Sequence, residues 1–349
     1  MTSARSAGDC RPLLDELLDR VASRFIRPEP RLRAQLFVRG ILSGLARKNS
    51  WTLAEFAGES DPNGMQRLLT SARWDVDGVR DDVREWVVER LGDEEYAVLV
   101  PIEAGFPKKG NRSVGVHRQY NDVARRAENV QVGLFLAYAS PRGWALVDRE
   151  LYLPSSWTAD PERCERLGVP AGVGFVPKPE LARRMIERFL AGGGPVPWVT
   201  ADETFGSDPG LRSWLERRCV PYGLAIRRPD PIAPGVWIRT PAGAAEAGRP
   251  SVEDGPEWER LFAARPTPGG RRLVQYECRI PAGTTMRTVS QVTGTRYRIE
   301  ERFPAAKSRM GLDQYQVRRY DAWYRHVTLC LLAGAFLAVT RGPEAWSPE

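Results

Sequence analysis

Five carboxylates stand where a fold could turn them inward: Glu103 at the end of the run YAVLVPIE, Asp202 and Glu203 after PWVTA, and Glu300 and Glu301 within RYRIEERF. Acids at the ends of adjacent strands and on a facing helix can hold hard divalent cations, which activate water and stabilise the leaving oxygen in phosphoryl transfer. Taken singly, each reads as an ordinary surface acid, and spacing alone does not decide. His117, in SVGVHRQY, could carry a proton, although a lone histidine on a strand is more often structural or exposed, and His326 reads as a hydrogen-bonded core residue. GFPKKG sets Lys108 and Lys109 after a glycine turn, where they could hold a phosphate without the Walker spacing.

The elements that must position these groups follow from periodicity. Residues 11–92 carry apolar residues at three- and four-residue intervals and predict a helical N-terminal module, with breaks at Pro28 and Pro30 and at DPNG, residues 61–64. From Tyr96 the pattern changes: YAVLVPIEAG, SVGVHRQY and VQVGLFLAYA predict three successive strands, which WALVDRELYLP extends. KPELARRMIERFLAGG predicts an amphipathic helix and PWVTADETFG a short buried strand ending on two acids; strand, helix, strand implies parallel pairing in an α/β sheet. Residues 227–270, rich in Pro, Gly and Ala, predict an irregular insertion, and RRLVQYECRI a strand. A helix around Glu300 should be interrupted or bent at Pro304, and AWYRHVTLCLLAGAFLAVT predicts a mostly buried helix. The expected division is therefore 1–92 a helical module, 93–226 and 271–340 two parts of one α/β domain, the second with the terminal helices, 227–270 an irregular insertion, and 341–349 a tail.

Composition narrows the class. The chain has 349 residues, 42% hydrophobic and 27% charged, which excludes a mainly disordered or fibrous protein. Its formal charge of +7 suits a polyanionic partner, and only five of its 51 Lys and Arg residues are lysines, so most cations are guanidiniums able to bind phosphate bidentately. A coding bias accounts for the arginines equally well. Cysteines 10, 164, 219, 278 and 330 form no CxxC pair, which argues against a zinc cluster or disulfide framework and suits a reducing cytoplasm. The N-terminus lacks a secretory apolar segment, and Val327 to Val339 is too short to span a bilayer, so no membrane association is expected.

The stretches GFPKKG, SVGVHRQY, LFLAYASPRGWALVDRELYLPSSW, KPELARRM, WVTADETFG and RYRIEERF through GLDQYQVRRYDAWYRHVTL, in this order, resemble the bacterial insertion-sequence DDE transposases over roughly residues 25–340. The resemblance implies a ribonuclease-H-like mixed α/β sheet flanked by helices and an Asp, Asp, Glu triad that holds Mg²⁺ or Mn²⁺. It puts the second acid at Asp202 and the third at Glu300. It also implies an Arg, Glu, Lys signature in Arg296, Glu300 and Lys307, basic residues associated in the family with transposon-end DNA; the signature's tyrosine would fall at Thr293.

The chain departs from the family at the first acid. Where the family reads Asp, then Glu or Asp, Thr, Gly, Phe, this sequence reads Ile102, Glu103, Ala104, Gly105, Phe106. Side chains alternate along a strand, so Glu103 should point away from the face that Ile102 occupies and cannot substitute without a bulge. Asp202 and Glu300 alone should hold a metal pair poorly. The stretch between Asp202 and Glu300 is shorter than the family's, and no basic tail follows the apolar helix. These features suggest a transposase-derived protein impaired in strand cleavage but still able to bind DNA through Arg296, Arg298, Lys307, Lys108 and Lys109, with homodimerisation a further expectation. Alternatively, the less charged pocket serves a small-molecule ligand, as an enzyme without metal in which Asp202 and Glu300, with Glu103 and His117 as further candidates, act as acid and base. A third reading is a regulatory protein that binds transposon ends or a partner transposase. A basic groove past Asp202 and Glu300 favours DNA; a closed apolar pocket over them favours the small molecule.

Overall fold

The computed structural model describes residues 10–121, 126–193, 197–227, 237–241, 257–267 and 273–347. Five helices come first: α1 (Arg11–Arg20), α2 (Pro28–Leu42), α3 (Ser50–Phe56), α4 (Asn63–Thr70) and α5 (Val76–Leu91). Pro28 opens α2 rather than breaking it, since the first turn of a helix has no use for the missing N–H. The Asp75 carboxylate accepts from the Gly78 N–H at 2.9 Å to cap α5, and Asn49 with Thr52 forms a capping box at α3. The buried stripe of α5, Val79, Val83, Trp86 and Val87, keeps helical spacing.

The sheet begins with β1 (Val98–Pro107), β2 (His117–Asn121), β3 (Arg126–Ser140) and β4 (Gly143–Leu151). β1 and β3 are antiparallel, and β3 is long enough to pair with β2 along its first residues and β4 along the rest. Short helices α6 (Ser155–Thr158) and α7 (Pro161–Arg166) lead to α8 (Lys178–Ala191), the crossover into β5 (Trp198–Ala201); α9 (Glu203–Gly206) and α10 (Pro209–Arg217) lead into β6 (Tyr222–Ile226). β5 pairs parallel with both β1 and β6. Wholly buried apolar strands such as WVTA and YGLAI are what central parallel strands require. This β4-β3-β1-β5-β6 order, antiparallel then parallel with helices on both faces, is the expected ribonuclease-H-like arrangement.

The sheet continues beyond β6 through β9 (Leu273–Pro281), β8 (Trp258–Pro266) and β7 (Trp237–Pro241), all antiparallel. Two of these strands lie in the stretch whose composition predicts an irregular insertion. The Pro and Gly residues concentrate outside the described strands, and register on β9 supplies the order that local periodicity does not announce. Two long helices follow, α11 (Met286–Arg309) and α12 (Tyr320–Arg341). Contrary to expectation, α11 runs unbroken through the exposed Pro304; its cost is a missing N–H to the carbonyl of Glu300 four residues earlier.

α12 packs against β4 on one side and α5, α2 and α4 on the other, so the N-terminal helices share one continuous hydrophobic core with the sheet. The helical segment from Tyr320 is long and apolar enough to cross a bilayer by length and composition, which corrects the shorter span read from Val327 to Val339; 78% of its most apolar window is buried inside the fold. Trp323, Val327, Leu331 and their neighbours are thereby covered by protein. The tryptophans at 144, 157, 198, 214 and 323 are likewise core residues.

Candidate active site of the sheet

Asp202 follows β5 directly and its side chain caps α9, with Oδ1 accepting from the N–H groups of Thr204 at 2.9 Å and Phe205 at 3.3 Å. Glu300 lies on α11, which packs over β5, β1 and β6. Its carboxyl pKa is raised by burial above all and, to a smaller extent, by the Asp202 carboxylate, while Arg296 opposes the rise. The side chain keeps 40% exposure, so the group meets water on one side and a dense protein floor on the other. The Asp202 carboxylate, 98 positions earlier in the sequence, is thus near enough to add to the Glu300 shift.

Arg296 is not a surface cation. It is 6% exposed, and its Nη1 donates to both Glu300 oxygens at 2.7 and 2.9 Å while Nη2 reaches the Tyr276 hydroxyl at 3.4 Å. The guanidinium also lies 4.1 Å over the Tyr297 ring. A group held on these partners orients Glu300 instead of reaching for a phosphate. Position 293 is also interior: Thr293 is 1% exposed and its hydroxyl accepts from Arg265 at 2.9 Å. The close approach of its methyl to Gly223, 2.8 Å from where a Cβ would stand, leaves no space for a larger pair at that contact.

Ile102, which the family resemblance sets at the first-acid position, is an apolar side chain. Ile102 is 6% exposed and pairs across the sheet with Phe135, whose ring contacts Phe303 of α11 at 6.2 Å and Trp323 of α12 at 6.4 Å. Directly paired residues share a face, so Ile102 lies on the α11 side. Glu103, one residue on, lies on the opposite side, where Lys178 at the start of α8 donates to both carboxylate oxygens at 2.7 Å. β1 has no bulge in its pairing with β3 here, so alternation holds and Glu103 is turned away from Asp202 and Glu300. Local sequence pattern did not disclose the role of Lys178. The available signal was the basic residue at the head of a helix that must cover the other face of β1.

His117 is at the sheet edge, its Nδ1 3.1 Å from the Gly115 carbonyl and its ring edge-on to Tyr152 at 6.1 Å. Tyr152 in turn lies 5.2 Å from the Lys178 ammonium, so His117 belongs to the Glu103 side and not to the Asp202–Glu300 pair. Arg298 donates to Thr295 at 2.7 Å and lines a cleft at the start of β1 with Tyr96 and Val98. Lys109 is exposed. Lys108 and Lys307 do converge: Lys307 reaches the Gly105 carbonyl at 3.4 Å and the Phe106 ring at 5.1 Å, and Lys108 sits 3.5 Å over Tyr315, whose ring is 5.8 Å from that of Phe106. Burial, and to a smaller degree repulsion from Lys307, pushes the Lys108 pKa down to about 8 against the pull of Asp313.

These residues do not fit a divalent metal pair. Among the described residues no three His, Cys, Asp or Glu side chains gather as a metal-holding group. Asp202 spends one oxygen on backbone N–H groups, both Glu300 oxygens are taken by Arg296, and Ile102 offers no donor. What the arrangement can do is hold a half-buried Glu300 carboxyl, its pKa raised by burial, against the Arg296 guanidinium.

A family model described as "DDE superfamily endonuclease" matches residues 20–293. A similar curated protein is the "Probable transposase for insertion sequence element IS701" of Microchaete diplosiphon, 28% identical over 194 residues, which cover 54% of this chain and 47% of that protein. The matched segment thus spans about half the length of that relative. With this match over most of its length, and a sheet order that agrees with it, the chain belongs to the DDE superfamily of endonucleases.

Proposed function

We propose that this chain is a transposase-derived protein that binds DNA and does not cut it. The observation that carries the reading is Ile102, an apolar side chain on the α11 face of β1, with the neighbouring Glu103 held by Lys178 on the other face. In-line attack on a phosphodiester needs charge stabilisation on both the attacking and the leaving oxygen, and a pair of metal ions supplies it only when carboxylates bridge them. Asp202 and an Arg296-bound Glu300 lack the bridging ligand. DNA binding is supported by the net charge of +7 and by Lys108 and Lys307 meeting at the end of β1, two ammoniums suited to successive phosphate oxygens. Mg²⁺ or Mn²⁺ has no step in this function.

The test is cleavage and gel retention of labelled duplex DNA with Mg²⁺ or Mn²⁺, using the unaltered protein, Ile102→Asp and Asp202→Ala. Retention without cleavage in the unaltered protein, with cleavage appearing in Ile102→Asp, is the expected result. Cleavage by the unaltered protein that Asp202→Ala abolishes refutes it.

A further inference from the structure

Between the N-terminal helices and the loop joining α11 to α12 lies a cavity of about 360 Å³, away from Asp202 and Glu300. Its size falls within the lower part of the range typical of small-molecule pockets. The buried part of its lining is formed by Phe37, Leu69, Tyr315 and His326, each under 10% exposed. This part is rigid. Tyr315 is stacked by the Lys108 ammonium and bonded through its hydroxyl to Gln131, and the His326 ring lies 5.0 Å from that of Tyr315 and 6.0 Å from that of Phe37.

His326 brings a defined polar atom to this lining. Its Nε2 is 3.1 Å from the Gly311 carbonyl and 3.3 Å from the Cys330 Sγ; the carbonyl can only accept, so a hydrogen bond to it puts the hydrogen on Nε2 and the lone pair on Nδ1. Burial pushes the pKa down to about 4, which keeps the ring neutral. Nδ1 has no hydrogen-bond partner among the described residues. The outer lining is of a different kind: amides from Gln66, Gln314 and Gln316, and cations from Lys48 and Arg318. Lys48 donates to the Leu45 carbonyl and Gln314 accepts from the Lys48 N–H, which leaves the Gln314 amide hydrogens for another acceptor. No Asp or Glu lines the cavity.

We infer that this cavity is a nucleotide site, taking a purine ring against Tyr315, Phe37 and His326 and its 5′-phosphate at Lys48 and Arg318. An aromatic floor accepts the flat base, paired amide donors and acceptors match a purine edge, Nδ1 takes a hydrogen from an exocyclic amine, and an acid-free cationic rim favours the phosphate. Adenine, with an exocyclic amine beside a ring acceptor, meets these groups best. The cavity shares no lining residue with the Asp202–Glu300 pair and meets the DNA-binding reading only at Tyr315, on which Lys108 stacks.

The test is calorimetric titration of the full chain with adenosine 5′-monophosphate, adenosine and inorganic phosphate, repeated on Thr70→Trp, which fills the cavity from its exposed edge, and on Arg318→Glu. Saturable one-to-one binding of the monophosphate is expected, weakened about 10-fold or more by each substitution and by removal of the phosphate, with inorganic phosphate alone inert. A single-stranded oligodeoxyadenylate serves as competitor: displacement names a nucleotide unit of DNA as the source, and no displacement names free nucleotide. Absence of saturation at millimolar monophosphate, or affinity unchanged in both variants, overturns the inference. Circular dichroism of the variants separates lost binding from lost folding.

Discussion

Ile102→Asp should turn a metal-indifferent protein into a metal-stabilised one, and the size of the effect follows from the site. The substitution removes a side chain only 6% exposed, whose burial is worth about 2–3 kcal/mol, and adds a carboxylate to a desolvated position at a further cost of about 1–3 kcal/mol. Without metal the variant should therefore be about 3–6 kcal/mol less stable. With the introduced carboxylate in place, Asp202 and Glu300 gain a third ligand on their own face. If Mn²⁺ is added at about 100 times the dissociation constant, mass action returns about 2.7 kcal/mol. An unfolding entropy of about 2.1 cal/mol/K for each of 349 residues converts this to a rise in Tm of about 4 °C. Thermal denaturation with and without Mn²⁺ measures it. The unaltered protein should move by less than about 1 °C, and Asp202→Ala in the Ile102→Asp background should remove the response. An equal rise in the unaltered protein, or a response that survives Asp202→Ala, refutes the assignment of Ile102 to the missing ligand position.

Three further outcomes follow from the contacts. His326 is buried with its pKa depressed to about 4 against an ordinary 6.5, so the unfolded chain binds more protons between these values and stability is lost as pH falls through that window; denaturant unfolding at pH 7 and pH 4.5 should differ by about 2–3 kcal/mol, less so in His326→Gln. Arg296→Met should cost about 2–4 kcal/mol in urea unfolding and raise the Glu300 pKa further, read by carbon-13 titration of the carboxyl, because the cation opposing its desolvation is gone. Lys178→Met should destabilise by about 1–3 kcal/mol by leaving the half-buried Glu103 unpaired, with part of the loss recovered in Lys178→Met/Glu103→Gln; full additivity of the two losses would show that the pair is not coupled.

Much of the fold and part of the site are legible in local pattern. The helical period of residues 11–92, the strand runs from Tyr96 and the amphipathic helix from Lys178 each become an element of the expected kind. Pro304 is less legible: a proline disrupts a helix only if its ring and missing N–H cannot be tolerated, and on an exposed face of a long helix anchored by Ile299, Phe303 and Ala306 they are. β7 and β8 are hidden for the converse reason. Neither strand has the apolar run of β1 or β5, and cross-strand pairing, β8 on β9 and β7 on β8, holds them in the sheet.

The sequence by itself determines which residue types are available and how they alternate. It puts an isoleucine where the family resemblance sets the first acid, an aspartate after a buried strand and a glutamate on a helix, and it requires Ile102 and Glu103 to face opposite ways. What those groups touch is decided only by tertiary structure, because partners far apart in sequence leave no mark in local periodicity. Packing of α8 and α11 on opposite faces of the sheet gives Glu103 to Lys178 and Glu300 to Arg296. Burial then separates basic residues of similar appearance: Arg296 becomes an internal partner, Lys108 and Lys307 meet at the end of β1, and Arg298 turns to another cleft.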